Sequence, residues 1–246
     1  MHPVIPLWVS LATIAANILI PIVAWVAFQR VARRSAKELV APSFIFFALW
    51  VVVAFTLSTR GFFAGAAGSS VPRIVYAMVP LAIGYFAYLS LRSVRTVADQ
   101  IPLHWIIGLQ FYRALGVVFL VEWTLGALPG AFALPAGIGD IAIGLAAPFV
   151  AARVKAGAPR SRELAIRWNA LGIADLVVAV TMGVTTTPGP LHLFALDNPN
   201  VAIIMMPLVL VPIIAVPFSI LLHLIGLHRL VGRRALPAAL GMRQVA

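Results

Sequence analysis

Long apolar stretches dominate this chain and limit what it can fold into. Hydrophobic residues make up 62% of its 246 positions, whereas charged residues make up 10%. Soluble domains carry roughly a quarter of their residues as charged ones, so this composition predicts a protein embedded in lipid. A membrane span needs about 20 consecutive, mostly apolar residues, and seven stretches reach that length. They are 6–28, 43–63, 72–92, 103–126, 134–152, 165–186 and 200–227.

We therefore predict an all-α, polytopic membrane protein. Residues 1–246 would form a single bundle of seven transmembrane helices, with residues 228–246 as a basic tail. The first stretch is too long for a signal peptide and no basic region precedes it, so we expect it to be retained as a helix. The expected location is the plasma membrane, in bacteria the inner membrane, as a multi-pass protein.

Basic residues are distributed unequally between the two sides of the predicted bundle. Fifteen of the 18 lysines and arginines fall in the tail and in the connections after spans one, three and five. The positive-inside rule places these segments in the cytoplasm and the N-terminus outside. The net charge of +11 then reflects orientation and contact with anionic lipid. Nucleic acid is not an expected partner.

A short internal repeat links the fourth and sixth stretches. Residues 112–116 (YRALG) resemble residues 168–172 (WNALG), and each helix leads through a Pro-Gly turn to a Phe-Ala-Leu sequence at residues 132–134 and 194–196. The pattern predicts a tandem helical-hairpin repeat, helices four–five and six–seven, related by an axis along the membrane normal. Chance similarity within an apolar, low-complexity sequence is the alternative.

Ionisable residues inside apolar stretches are the strongest indication of function. Arg113 lies near the middle of the fourth stretch, and Asp140 and Asp175 lie within the fifth and sixth. Such residues cost several kcal/mol in hydrocarbon and persist mainly where they pair or serve a function. All three lie on glycine-containing helix faces, which allow close helix approach or leave a cavity. We therefore expect Arg113 to face the interior and to pair with Asp175 or Asp140.

Three further polar residues complete the predicted ligand- or proton-binding set. Gln110 shares a helix face with Arg113. Glu122 is nine positions from Arg113, on the opposite face, so it is not an expected partner; near the outer interface it can meet water. Asn169 replaces Arg113 in the second repeat copy and lies on a different face from Asp175. We expect it to form an interhelical hydrogen bond.

These residues support two hypotheses about function. In the first, the polar centre binds or transports a small solute, ion or proton. Arg113 would hold an anionic group or release Asp175 to accept a proton, and Pro207, Pro212 and Pro217 would permit movement of helix seven. In the second, the chain is a receptor or structural membrane subunit, and its buried ion pair only fixes helix register.

Cofactor chemistry adds a third hypothesis. Retinal needs a lysine amine in the membrane, and the only lysines, Lys37 and Lys155, lie in predicted cytoplasmic connections, so retinal is excluded. His104 and His223 lie at a similar cytoplasmic level and could ligate a b-type haem for sensing or electron transfer. The chain has no cysteine and no HExxH, GxSxG or P-loop motif. No catalytic residue is predicted, and an enzyme would need unrecognised chemistry on the buried acids.

Overall fold

The computed structural model describes residues 5–64 and 72–232 and is entirely helical and irregular, without strands, over those ranges. Seven helical segments in this part of the chain are long and apolar enough to cross a membrane. They are Leu7–Ser35, Lys37–Thr59, Arg73–Ser90, Leu103–Thr124, Gly130–Lys155, Ser161–Thr186 and Val211–Gly232. The predicted all-α class and the seven membrane-length helices are confirmed. The predicted tail beyond residue 232 lies outside the described residues.

The described ranges contain nine α-helices, because the fourth span is divided into two and one short helix lies between the third and fourth spans. The helices are α1 (Leu7–Ser35), α2 (Val40–Thr59), α3 (Met78–Ser90), α4 (Arg92–Gln100), α5 (Leu103–Leu109), α6 (Val117–Thr124), α7 (Gly130–Lys155), α8 (Ser161–Thr186) and α9 (Val216–Gly232). Short 3₁₀ turns at Lys37–Leu39 and Arg73–Ala77 precede α2 and α3.

The fourth span is not the continuous α-helix expected over 103–126. Between α5 and α6, residues Gln110–Gly116 wind as a 3₁₀-helix, and Arg113 lies in the middle of this segment. Its backbone packs directly on α7: a Cβ added to Gly116 would lie 2.6 Å from the Asp140 Cβ and 3.0 Å from the Gly137 carbonyl oxygen. A stretch of 3₁₀-helix inside a longer helix often marks a functional hinge.

The seventh span begins at Val211 and not at residue 200. A π-helical turn, Val211–Ala215, precedes α9. The physical reason is proline, which lacks the backbone N–H that an α-helix requires. Pro217 cannot bond the carbonyl of Ile213, four residues earlier, and the indole Nε1 of Trp50 donates to that carbonyl instead, at 3.1 Å. The irregular start of the seventh span is thereby tied to the second span.

Spans four to seven form the centre of the bundle. Helix α7 packs against α5, the 3₁₀ segment, α6 and α8, and α8 packs against α9. The outer surface carries large apolar side chains more than half exposed, among them Leu49, Phe86, Phe149 and Leu171. Extensive exposed apolar surface is typical of contact with lipid or another protein. The polar residues of the central spans are therefore directed inward.

On the predicted cytoplasmic side, α4 and Arg229 differ from what the sequence predicted. No sequence pattern predicted α4, a short helix with Val97 and Ala98 buried. Arg229 was assigned to the lipid-facing basic tail, but it is buried in α9. Its Nη1 donates to the carbonyls of Ala98 (3.2 Å) and Ile101 (2.8 Å). A cation at the C-terminal end of a helix is favourable, so this charge is used within the protein.

Candidate functional site

Arg113 lies at the centre of the bundle, and its guanidinium contacts three other spans. Nε donates to Asp140 Oδ1 on α7 at 2.7 Å, and Nη2 donates to Asp175 Oδ2 on α8. Nη1 lies 2.9 Å from His223 Nε2 on α9 and 3.4 Å from the Gly172 carbonyl oxygen. The arginine is 3% exposed. The sequence left a choice between two carboxylate partners, and the structure pairs Arg113 with both.

The charges of this centre do not balance. One guanidinium lies between two carboxylates on different helices, so the three groups carry a net charge of −1 when both acids are ionised. An uncompensated charge taken out of water is costly even when part of its environment is polar. One further positive charge, a proton or another cation, would complete the centre.

His223 is held as a neutral imidazole with a defined tautomer. A guanidinium nitrogen only donates, so Nε2 accepts from Arg113 and Nδ1 carries the proton. Nδ1 donates to Asn169 Oδ1 at 2.9 Å, and Asn169 Nδ2 donates to the Ala165 carbonyl at 2.7 Å, which fixes the amide in the matching orientation. The interhelical hydrogen bond expected of Asn169 is present. The ring packs on Trp168, with the centroids 4.9 Å apart.

This geometry argues against the predicted haem site. Iron needs a free nitrogen lone pair, and the one lone pair of His223 accepts from Arg113. His104 lies at the start of α5, where its ring contacts Trp105 edge-on. The haem hypothesis rested on equal depth alone, without knowledge of these hydrogen bonds.

Gln110 connects the 3₁₀ segment to the seventh span. Its Nε2 donates to the Ser219 carbonyl and its Oε1 accepts from Ser219 Oγ, both at 3.1 Å. Tyr112 donates to the Ala215 carbonyl at 3.0 Å and also contacts Ser219 Oγ. Tyr112 and Ser219 were not among the residues predicted from the sequence. Ser219 could have been found, because it lies four residues before His223 on the same face of α9.

Glu122 does not meet water as expected. It is fully buried, and neither carboxylate oxygen has a hydrogen-bond partner within the described residues. The chain turns at Gly126, where φ is +76°, and returns over residue 122. The backbone N–H groups of Ala127 and Leu128 donate to the Glu122 carbonyl at 2.8 and 3.2 Å. The interface was misjudged because this turn folds back and covers the end of α6.

Glycines around the buried charges make room for the side chains of neighbouring helices. A methyl group at Gly139 would overlap the Asp175 carboxylate, and one at Gly172 would overlap the His223 ring. Small residues allow helices in a membrane to approach closely. The arrangement of charges therefore depends on glycine at these positions.

Two cavities reach Asp140. The larger, about 110 Å³, lies between the third, sixth and seventh spans and is lined by Met78 and Gly183 among others. The smaller, about 50 Å³, lies between the first, fourth and seventh spans, beside Asn17 and Tyr112. Asp175 lines neither of them. Of the two acids that contact Arg113, Asp140 is the one that lines these two cavities, although the two side chains are similarly exposed, at 13% and 12%.

Comparison with known proteins gives a match to one family. No curated protein and no solved structure matches the chain. A family model described as a domain of unknown function, DUF8737, matches residues 70–231. The matched region includes Arg113, Asp140, Asp175 and His223, and with them the whole ion-pair centre. The chain belongs to the DUF8737 family.

Proposed function

We propose that this chain binds or transports a small solute, an ion or a proton inside the membrane. Arg113, Asp140 and Asp175 are its working centre, and Asp140 takes up the proton or cation. The observation that carries the proposal is the charge imbalance, in which a single buried guanidinium serves two carboxylates. Ionisable residues in membrane spans commonly mark ion pathways and proton relays.

In this proposal Arg113 is the counter-ion of the two buried acids and does not bind an external anion. Each of its three nitrogens already contacts a carboxylate, an imidazole or a carbonyl, so an anion would have to displace one of them. Asp140 is the better placed of the two acids, because it lines both cavities and Asp175 lines neither. Its Oδ1 accepts from Arg113, and its Oδ2 has no hydrogen-bond partner among the described residues.

Irregular backbone on both sides of the centre would permit movement. Arg113 belongs to the 3₁₀ segment, and the π-helical turn Val211–Ala215 immediately precedes α9, the helix that carries His223. Tyr112 bridges these two segments by donating to the Ala215 carbonyl, and Gln110 donates to the Ser219 carbonyl in the first turn of α9. We propose that the two segments move together when Asp140 gains or loses a positive charge.

Orientation, location and repeat are part of the proposal. The N-terminus would lie outside and the C-terminus in the cytoplasm of a bacterial inner-membrane protein, because the basic residues cluster on one side. Exposed cations in the first connection, such as Arg33 and Lys37, would contact anionic lipid. The repeat is proposed from the sequence pattern, in which Arg113 and Asn169 occupy equivalent positions in the two copies.

Infrared difference spectroscopy of the purified protein in lipid nanodiscs tests the centre without knowledge of a substrate. A change of pH should produce a protonated carboxyl C=O band that disappears in Asp140→Asn. The same band should persist in Asp197→Asn, a matched control in an exposed loop. If folded Asp140→Asn and Asp175→Asn proteins retain every carboxyl band of the wild type, the centre does not exchange protons.

A structural ion pair is the second candidate function. Two features of Arg113 favour it. The side chain is only 2% exposed, and each of its nitrogens contacts a protein atom. In that case the centre would only fix the register of four spans, as buried polar groups do in some helical assemblies. The infrared experiment separates the two candidates, because a static pair gives no carboxyl signal that changes with pH.

A further inference from the structure

The larger cavity combines apolar walls with one carboxylate. Its wall is formed by side chains such as Met78, Phe132, Val180 and Ile203, and Asp140 also lines it. An uncharged apolar molecule would gain nothing from Asp140, and an anion would be repelled by it. Ligand sites in proteins commonly have this form, mostly apolar with a few polar groups that set orientation.

We propose that this cavity binds a lipophilic organic cation, a protonated amine with a short alkyl chain or a single ring. The proposal rests on the proposed function, since the ammonium group would supply the positive charge missing from the Arg113, Asp140 and Asp175 centre. The ammonium group would donate to Asp140 Oδ2, which has no hydrogen-bond partner among the described residues. The apolar part would lie along the wall towards Gly183.

The size of the cavity limits the ligand. Its volume is about 110 Å³, and an apolar cavity of about 150 Å³ in another protein takes up benzene. This cavity is smaller, so it would hold the ammonium end and part of a short chain, and the rest of the ligand would extend towards the far end. Its far end is formed by residues 187–189, which follow α8 and lead out of the sixth span. A ligand could enter from that end of the bundle, away from the basic connections.

Binding of three six-carbon probes to the full chain in nanodiscs tests the inference. Hexylamine, hexanol and hexanoate share the alkyl chain and differ in charge, and empty nanodiscs correct for partition into lipid. We expect saturable binding of hexylamine by calorimetry, about tenfold tighter than hexanol, since a charge-assisted hydrogen bond contributes at least that factor. Hexanoate should bind more weakly than either. Equal binding of hexylamine and hexanol would overturn the proposal and leave a cavity suited only to apolar chains.

Two variants locate the site. Asp140→Asn should reduce hexylamine affinity to that of hexanol, whereas Asp197→Asn should leave it unchanged. Gly183→Leu should weaken all three probes, because the new side chain would fill the cavity. A Cβ at Gly183 meets only the Phe132 ring, at 3.6 Å, so this variant should fold even if Asp140→Asn does not. Undiminished hexylamine binding by folded Gly183→Leu would overturn the assignment to this cavity.

The inference and the proposed function can fail separately. A pH-dependent Asp140 carboxyl band without specific hexylamine binding would leave the proton-binding centre intact and refute the amine site. Hexylamine binding that depends on Asp140 without such a band would support the amine site and refute proton exchange.

Discussion

Gly139 on α7 lies directly against the carboxylate of Asp175 on α8, so that a single methyl group at position 139 would overlap Asp175 Oδ1. The same carboxylate accepts from Arg113 through Oδ2. The ion pair with Arg113 holds this carboxylate on one side. On the other side Gly139 leaves it room, because glycine has no side chain. The ion-pair centre depends on a residue that carries no charge.

Gly139→Ala should displace Asp175 from Arg113. The new methyl group cannot be accommodated without moving the carboxylate, and overpacking of this kind costs about 1–3 kcal/mol. Chemical unfolding in detergent would measure the loss. Gly108→Ala is the matched control, because its added Cβ would lie 3.7 Å from the Ala151 Cβ, an ordinary contact. Equal stability of the two variants would contradict the close packing of Gly139 against Asp175.

Arg113→Ala should be strongly destabilising, and neutralising its partners should rescue it. Removing the guanidinium leaves Asp140 and Asp175 facing each other without a cation, and breaking a buried pair costs about 3–5 kcal/mol. The triple variant Arg113→Ala, Asp140→Asn, Asp175→Asn should recover most of that free energy of unfolding. No recovery in the triple variant would show that the loss of Arg113 acts through packing and not through charge.

Trp50→Phe should cost less when Pro217 is replaced by alanine. In the wild type the indole N–H supplies the hydrogen bond to Ile213 that proline cannot, and its loss should cost about 1 kcal/mol. In Pro217→Ala the backbone N–H of residue 217 can bond that carbonyl. A double-mutant cycle measures the difference in the free energy of unfolding. Equal costs in both backgrounds would refute the compensation.

Glu122→Gln should leave the protein equally stable or stabilise it. The carboxylate oxygens are buried without hydrogen-bond partners among the described residues, and a buried charge without a partner is costly. Glutamine keeps the shape and removes the charge. Thermal unfolding should give Glu122→Gln a melting temperature equal to or above that of the wild type. A large loss of stability in Glu122→Gln would point to a partner outside the described residues.

The ion-pair centre could be predicted in part because its members are exceptional in apolar sequence. Arg113, Asp140 and Asp175 were found by the cost of charge in hydrocarbon, and helical phase separated Glu122 from Arg113. His223 was found for the wrong reason, as a haem ligand. Its contacts with Arg113 and Asn169 depend on how α9 packs against α8, which no local pattern reveals.

The sequence by itself determined the class of the molecule: seven apolar helices of membrane length, with three charges placed among them. Local composition and period are sufficient for this, because each span must satisfy its own backbone hydrogen bonds. Only the tertiary structure decided that Arg113 serves both acids, that Asp140 and not Asp175 borders the cavities, and that Glu122 is covered. Those outcomes depend on side chains far apart in the chain, brought together where glycines allow the helices to meet.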